Sequence, residues 1–248
     1  QLSETIEIAF ENENNELIRD VLHTISQNHK LAPIESIPLC QDTGSTVIFA
    51  ELGTEVQIIG DSLLGICNSA VIEAQQKYCL RASIVSDPIF DRTNTMNNSP
   101  CILHIEHVQG DKLRLLVAQK GGGAENMSFL KMFNPTVNID ELISYVVERV
   151  VSAGSRPCPP LIIGIGIGGN FESCAVLAKK AVFEPLGRSN PDRNYAALEQ
   201  SILSQINKLG CGVQGMGGDR TALAVHIKYA PCHIASLPVA VNIQCHAH

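Results

Sequence analysis

The chain has 248 residues, 45% of them hydrophobic, and a formal net charge of −7. That length supports one substantial core or two smaller ones, and the composition excludes a disordered or low-complexity protein. No run of about 18 apolar residues is present, which excludes a membrane-spanning helix, and no basic stripe marks a nucleic-acid binder.

The start, Gln1-Leu2-Ser3-Glu4, is polar and acidic, without the basic flank and apolar stretch of a secretion signal; a cytoplasmic protein is expected. The abrupt ends at Gln1 and His248 read as those of a trimmed chain. In chain order, residues 14–28 predict an amphipathic helix, 30–44 a loop ending in Cys40-Gln41-Asp42-Thr43-Gly44, and 46–51 a strand. Residues 61–80 carry helical apolar spacing, and Asp87 to Pro100 is loop by composition. Strands at 101–108 and 112–119 are joined by Gly110-Asp111, a hairpin signal. After Lys120-Gly121-Gly122-Gly123-Ala124-Glu125-Asn126, a helix at 139–153 is opened by Asn138 or Asp140. Residues 161–167 predict a buried strand, 172–182 and 194–208 helices, 210–218 a glycine-rich loop, and 221–228 and 233–243 strands. Alternating strands and helices give an α/β or α+β class, with two mixed lobes around a cleft and a lobe break near 128–138.

Nine cysteines, an odd count without dense spacing, argue for a reducing compartment with some metal-bound thiolates rather than a disulfide scaffold. Cys67, Cys79, Cys101 and Cys174 sit in apolar or helical patterns and read as small buried hydrophobes. An acidic protein that binds a dianion must place its cations locally, which singles out Arg81, Arg92, Lys120 and Arg220 beside glycine- or asparagine-rich segments.

Gly164-Ile165-Gly166-Ile167-Gly168-Gly169 satisfies a dinucleotide-binding fingerprint, but Glu184, at the spacing of its acidic partner, runs into a polar loop. The bland reading is that these glycines allow close backbone approach, here to a metal centre introduced by Cys158. Lys120 to Gly123 lacks the ending of a P-loop; three glycines offer backbone N–H groups to an anion, or form a flexible turn. Cys40 to Gly44 is the densest chemical cluster: a soft ligand, an amide, a carboxylate and a hydroxyl in adjacent positions, or in isolation an N-cap turn. Cys232-His233 with Cys245-His246 suggests zinc, without the usual C-x-x-C spacing.

Together these segments resemble the α subunit of the class I, iron–sulfur-dependent fumarate hydratases and the related tartrate dehydratases. The resemblance runs from about Pro38 to His248 through CQDTG at 40–44, LRASIVSDP at 80–88, KGGGAEN at 120–126, PCPP at 157–160 with GIGIGG at 164–169, GVQGMGGDRTALAV at 212–225 and HIASLPVAVNIQCHAH at 233–248. It implies an iron–sulfur hydro-lyase α domain over 1–248 that interconverts fumarate and malate, or dehydrates tartrate or hydrates mesaconate. It implies a [4Fe-4S] cluster on Cys40, Cys158 and Cys245, with the fourth iron open to act as a Lewis acid. By the same resemblance Asp42 is the acid/base group, Gln41 and His233 contact the substrate or its hydroxyl, Arg81 clamps a carboxylate, and the Gly123 backbone holds the other end of the substrate. The family pattern also implies a β subunit that completes the active site, and self-association of this chain.

Overall fold

The computed structural model describes residues 1–247; His248, the last residue of the C-terminal motif, lies outside the described residues. The elements in order are α1 (Leu2–Asn12), α2 (Glu16–Glu35), β1 (Ser45–Gly53), α3 (Leu63–Lys77), β2 (Ile102–Val108), β3 (Leu113–Lys120), α4 (Gly122–Glu125), β4 (Phe129–Phe133), α5 (Ile139–Ala153), β5 (Leu161–Gly168), α6 (Phe171–Ala181), α7 (Arg193–Leu209), a 3-10 turn at Val213–Gly215, β6 (Ala222–Ala230) and β7 (Leu237–Gln244). The class is α/β with mixed sheets, as expected. The chain clusters into two compact units, one of Gln1–Pro33 with Gly123–Ala247, the other of Ile34–Gly122. Phe129–Phe133, inside the segment expected to separate two lobes, is strand β4.

In the larger unit four strands run in the order β4-β7-β5-β6, with β5 parallel to β6 and antiparallel to β7. Strand side chains alternate faces. Leu161, Ile163, Ile165 and Ile167 therefore enter one core with Leu142, Val146 and Val150 of α5 and Ile202 and Ile206 of α7. The other face of β5 carries Gly164 and Gly166, and α6 lies directly on it: a β-carbon at Gly166 would stand 2.0 Å from the Cys174 carbonyl oxygen, and one at Gly164 2.2 Å from that of Ala178. This corrects the expected role of the GIGIGG motif. Its close backbone approach is to a helix, and its first three glycines lie within the strand rather than in a loop after it. Polar caps start the helices where the sequence places them. Asn138 accepts from Glu141 N, Asn170 and Ser173 form a reciprocal capping box, and Asp192 accepts from Asn194 N. The loop expected from residue 30 is corrected as well: α2 continues to Glu35 with Pro33 inside its last turn. Its apolar face, Ile18, Leu22 and Ile25, packs on Ile6 and Ala9 of α1 and on Val213.

In the smaller unit the order is β2-β1-β3. The expected hairpin of β2 and β3 does not form. Each pairs with β1, β2 in parallel and β3 antiparallel. The reason is burial: Val47, Ile48, Phe49 and Ala50 make β1 the most apolar of the three, so it takes the centre. The Gly110 connection must then step over β1, and Gly53 makes room, since a β-carbon there would stand 2.3 Å from Gly110 O. Helix α3, capped by Ser62, covers Ile48 and Ala50 with Leu63 and Cys67.

Candidate functional site

In the smaller unit two motifs 80 residues apart interlock. Gly44 takes a left-handed conformation, φ 67°, and a β-carbon on it would stand 2.1 Å from Lys120 O, so the CQDTG turn lies flat on the start of the glycine run. Gly122 N–H donates to Asp42 Oδ2 at 2.8 Å, Gly44 N–H to Oδ1 at 3.0 Å, and Ser83 Oγ to Oδ1 at 3.5 Å. One carboxylate thus joins CQDTG, the KGGG run and the LRAS segment. Asp42 N–H donates to Cys40 Sγ at 3.5 Å, and that thiol reaches Gln41 Oε1 at 3.5 Å. Arg81 is exposed, with its backbone fixed from below: Asn98, 1% exposed, donates to Arg81 O and accepts from Ser83 N. Lys120 is 1% exposed, the most buried cation among the described residues.

In the larger unit PCPP and GVQG meet in the same way. Cys158 is exposed at φ 56° between buried Pro157 and Pro159. Gln214, itself at φ 51°, donates to Pro159 O from both its backbone N (2.9 Å) and its amide Nε2 (2.7 Å). Two left-handed non-glycine residues cost about 1–2 kcal/mol each, and such strain gathers where a side chain must be aimed. Register brings Cys158 and Cys245 to one end of the sheet. Antiparallel β5 begins beside the end of β7, with Ile162 opposite Gln244. His246, next to Cys245, is pushed down to about 4 by burial and by neighbouring His29. His233 is exposed in a tight turn, where its Nδ1 accepts from Ala235 N at 3.1 Å. A neutral ring then carries its proton on Nε2. Gly123, exposed, faces Arg156: a β-carbon there would stand 3.2 Å from Arg156 O.

The sequence-predicted residues therefore fall into two sets, Cys40, Gln41, Asp42 and Arg81 in the smaller unit and Gly123, Cys158, His233 and Cys245 in the larger. No group of three or more histidine, cysteine, aspartate or glutamate side chains is arranged to hold a metal ion among the described residues. The donor chemistry nevertheless suits an iron–sulfur cluster. Cys40, Cys158 and Cys245 are each at least partly exposed and, like all nine cysteines, outside any disulfide among the described residues. Cys67, Cys101 and Cys174, by contrast, are buried, and burial pushes their thiols up, away from the thiolate form a metal needs. Cys79, expected to be buried with them, is exposed beyond the end of α3.

The family model described as "Fumarate hydratase (Fumerase)" matches residues 1–248. The chain belongs to the fumarate hydratase family. Membership makes it a hydro-lyase. The chain is 38% identical over 248 residues to "Putative L(+)-tartrate dehydratase subunit alpha" of Methanocaldococcus jannaschii, covering 98% of this chain and 86% of that one. It is 32% identical over 240 residues to "L(+)-tartrate dehydratase subunit alpha" of Escherichia coli K12, covering 95% and 78%. Sequence reading missed this chain's holding residues, Asn98, Ser83 and Gln214. Ser83 and Gln214 lie inside motifs and Asn98 in the Asp87–Pro100 loop, but a buried amide or hydroxyl looks like any loop residue until its partners are known.

Proposed function

We propose that this chain is the α subunit of a [4Fe-4S]-dependent hydro-lyase that adds water to, or removes it from, a four-carbon dicarboxylate, fumarate and malate in the first instance. Cys40, Cys158 and Cys245 are its thiolate ligands, and a β subunit completes the site. The observation that carries the reading is the clamp on Asp42: a carboxylate gripped by Gly44, Gly122 and Ser83 is aimed, not merely present. When bound, the cluster supplies an open iron as Lewis acid, because three thiolates leave one of its irons without a protein ligand.

The chain's own residues do the rest. Asp42 exchanges a proton with the substrate hydroxyl or with the water that replaces it, and its fixed bonds mean that it does not reorganise during the transfer. His233 presents Nε2–H to the hydroxyl, since Nδ1 is engaged by Ala235. Gln41 contacts the same group. Arg81 offers a planar, two-pronged donor to one carboxylate, and the Gly123 backbone N–H meets the other. A β subunit supplies the base for the carbon-bound proton; the "subunit alpha" names of the relatives support the existence of such a second subunit. Self-association and a cytoplasmic setting complete the proposal.

A second reading, dehydration of L(+)-tartrate, is favoured by those relatives' names. The two reactions differ in one substrate hydroxyl. The deciding experiment purifies the two-subunit complex, reconstitutes it anaerobically and assays fumarate, L(+)-tartrate and mesaconate. Asp42→Asn in that complex is expected to keep about four irons per α chain and to lose about 100-fold or more in kcat. Wild-type turnover in the variant removes Asp42 from the mechanism; one zinc and no iron per chain removes the cluster.

A further inference from the structure

Helix α6 packs Cys174 and Ala178 on Ala240 and Leu130 of the larger sheet, an apolar contact. At its edge this pattern breaks. Lys179 of α6 forms an ion pair with Glu125, with the lysine side chain only 14% exposed. Asn242 of β7, 5% exposed, donates to Glu125 Oε2 at 3.0 Å and to Ser128 Oγ at 3.1 Å; Ser128 Oγ also accepts from Ile243 N at 3.1 Å. The Asn242 Oδ1 atom is buried without a hydrogen-bond partner among the described residues. Apolar side chains of similar volume would hold α6 to the sheet as well or better, because an ion pair with its lysine largely buried and its glutamate 38% exposed gains little over its desolvation cost. Stability therefore does not account for this polar set. What it does is join three segments at a single carboxylate: the turn that carries Gly123, helix α6, and the strand that ends one residue before Cys245.

We infer that Lys179 and Glu125, with Asn242, form a positioning network that fixes the Gly123 turn and the end of β7 for substrate. The inference rests on the dicarboxylate hydro-lyase reading. Lys179 touches neither substrate nor cluster; it acts through Glu125. The Gly123 N–H holds a carboxylate of the bound substrate, so its misplacement weakens substrate binding and raises KM.

The test uses the two-subunit complex with the substrate that the assay panel identifies. Lys179→Met is expected to raise KM at least fivefold with iron content unchanged. Lys179→Arg, which keeps the charge and reaches the same carboxylate, returns KM to within twofold of wild type. Glu125→Gln, similar in shape and still able to accept from Asn242, repeats the Lys179→Met effect, and it stands in should that variant fold poorly. On the α chain alone, amide hydrogen exchange across 121–128 quickens in both neutral variants and not in Lys179→Arg. As a control, Arg188→Met removes an exposed ion pair with Glu184 elsewhere in the same unit and leaves KM unchanged. An unchanged KM with unchanged exchange in Lys179→Met overturns the positioning role while the hydro-lyase reading stands. A wild-type complex inactive on every dicarboxylate overturns that reading first, and this one with it.

Discussion

Gly166→Ala tests the reassignment of the GIGIGG motif. A β-carbon at Gly166 would stand 2.0 Å from Cys174 O, 2.6 Å from Ala178 N and 2.9 Å from Leu177 Cβ, where ordinary contact begins at 3.4 Å. The first two neighbours are helix backbone, so no side chain can turn aside; α6 must withdraw from the sheet by about 1.4 Å, the difference between 3.4 and 2.0 Å. That withdrawal loosens Cys174, Ala178 and Ala181, all at most 1% exposed. Overpacking of this kind costs about 1–3 kcal/mol, and more when backbone must shift. Replacing a strand glycine returns about 0.5–1 kcal/mol through the unfolded chain. With the cost at the top of that range, the net expectation is a loss of about 2 kcal/mol, or a Tm lower by about 4–8 °C for a chain of this size. The chain has no tryptophan, so far-UV circular dichroism during urea and thermal unfolding is the suitable assay. A loss below about 1 kcal/mol would refute the seating of α6 on bare strand backbone. It would return these glycines to a ligand-binding loop, where alanine costs binding rather than stability.

Glu199, 7% exposed, accepts from Ile227 N at 2.7 Å and Asn190 N at 3.1 Å, and so seals the outer edge of β6. Glu199→Ala leaves a buried strand N–H unsatisfied and should cost about 2 kcal/mol in urea unfolding; Glu199→Gln should recover most of it, and equal losses would show that the edge is held by packing alone. His226, 5% exposed, faces Glu199, Glu184, Lys228 and Arg188, and burial is the largest cause lowering it from 6.5. A depressed histidine binds fewer protons folded than unfolded, so its contribution is complete above about 6.5 and is lost as pH falls through the folded value. The fall in stability from pH 7.5 to 5.5 should therefore shrink in His226→Gln, and an unchanged fall would remove His226 as a source.

Much of the fold was legible because local rules sufficed. Asn138, Asn170 and Asp192 announce helix starts by side-chain capping that needs no tertiary partner, and the all-apolar run from Leu161 reads as a strand buried on both faces. Pairing was not legible. Gly110-Asp111 signals a turn, but a turn says nothing of which strand lies between its arms, and the burial of Val47 to Ala50 decided that. Helix α1 and strand β4, absent from the sequence reading, are short elements stabilised mainly by what they pack against.

The candidate site divides in the same manner. The sequence by itself determined the family and named the candidate reactive groups, since motif order is a one-dimensional property and the chemistry of a thiol or carboxylate travels with the residue. Only the tertiary structure decided what holds them. Gly122 N–H reaches Asp42 across 80 residues, Gln214 reaches Pro159 across 55, and Asn242 reaches Glu125 across 117. Hydrogen bonds between segments so far apart depend on strand register and helix seating, and no local pattern of residues encodes either.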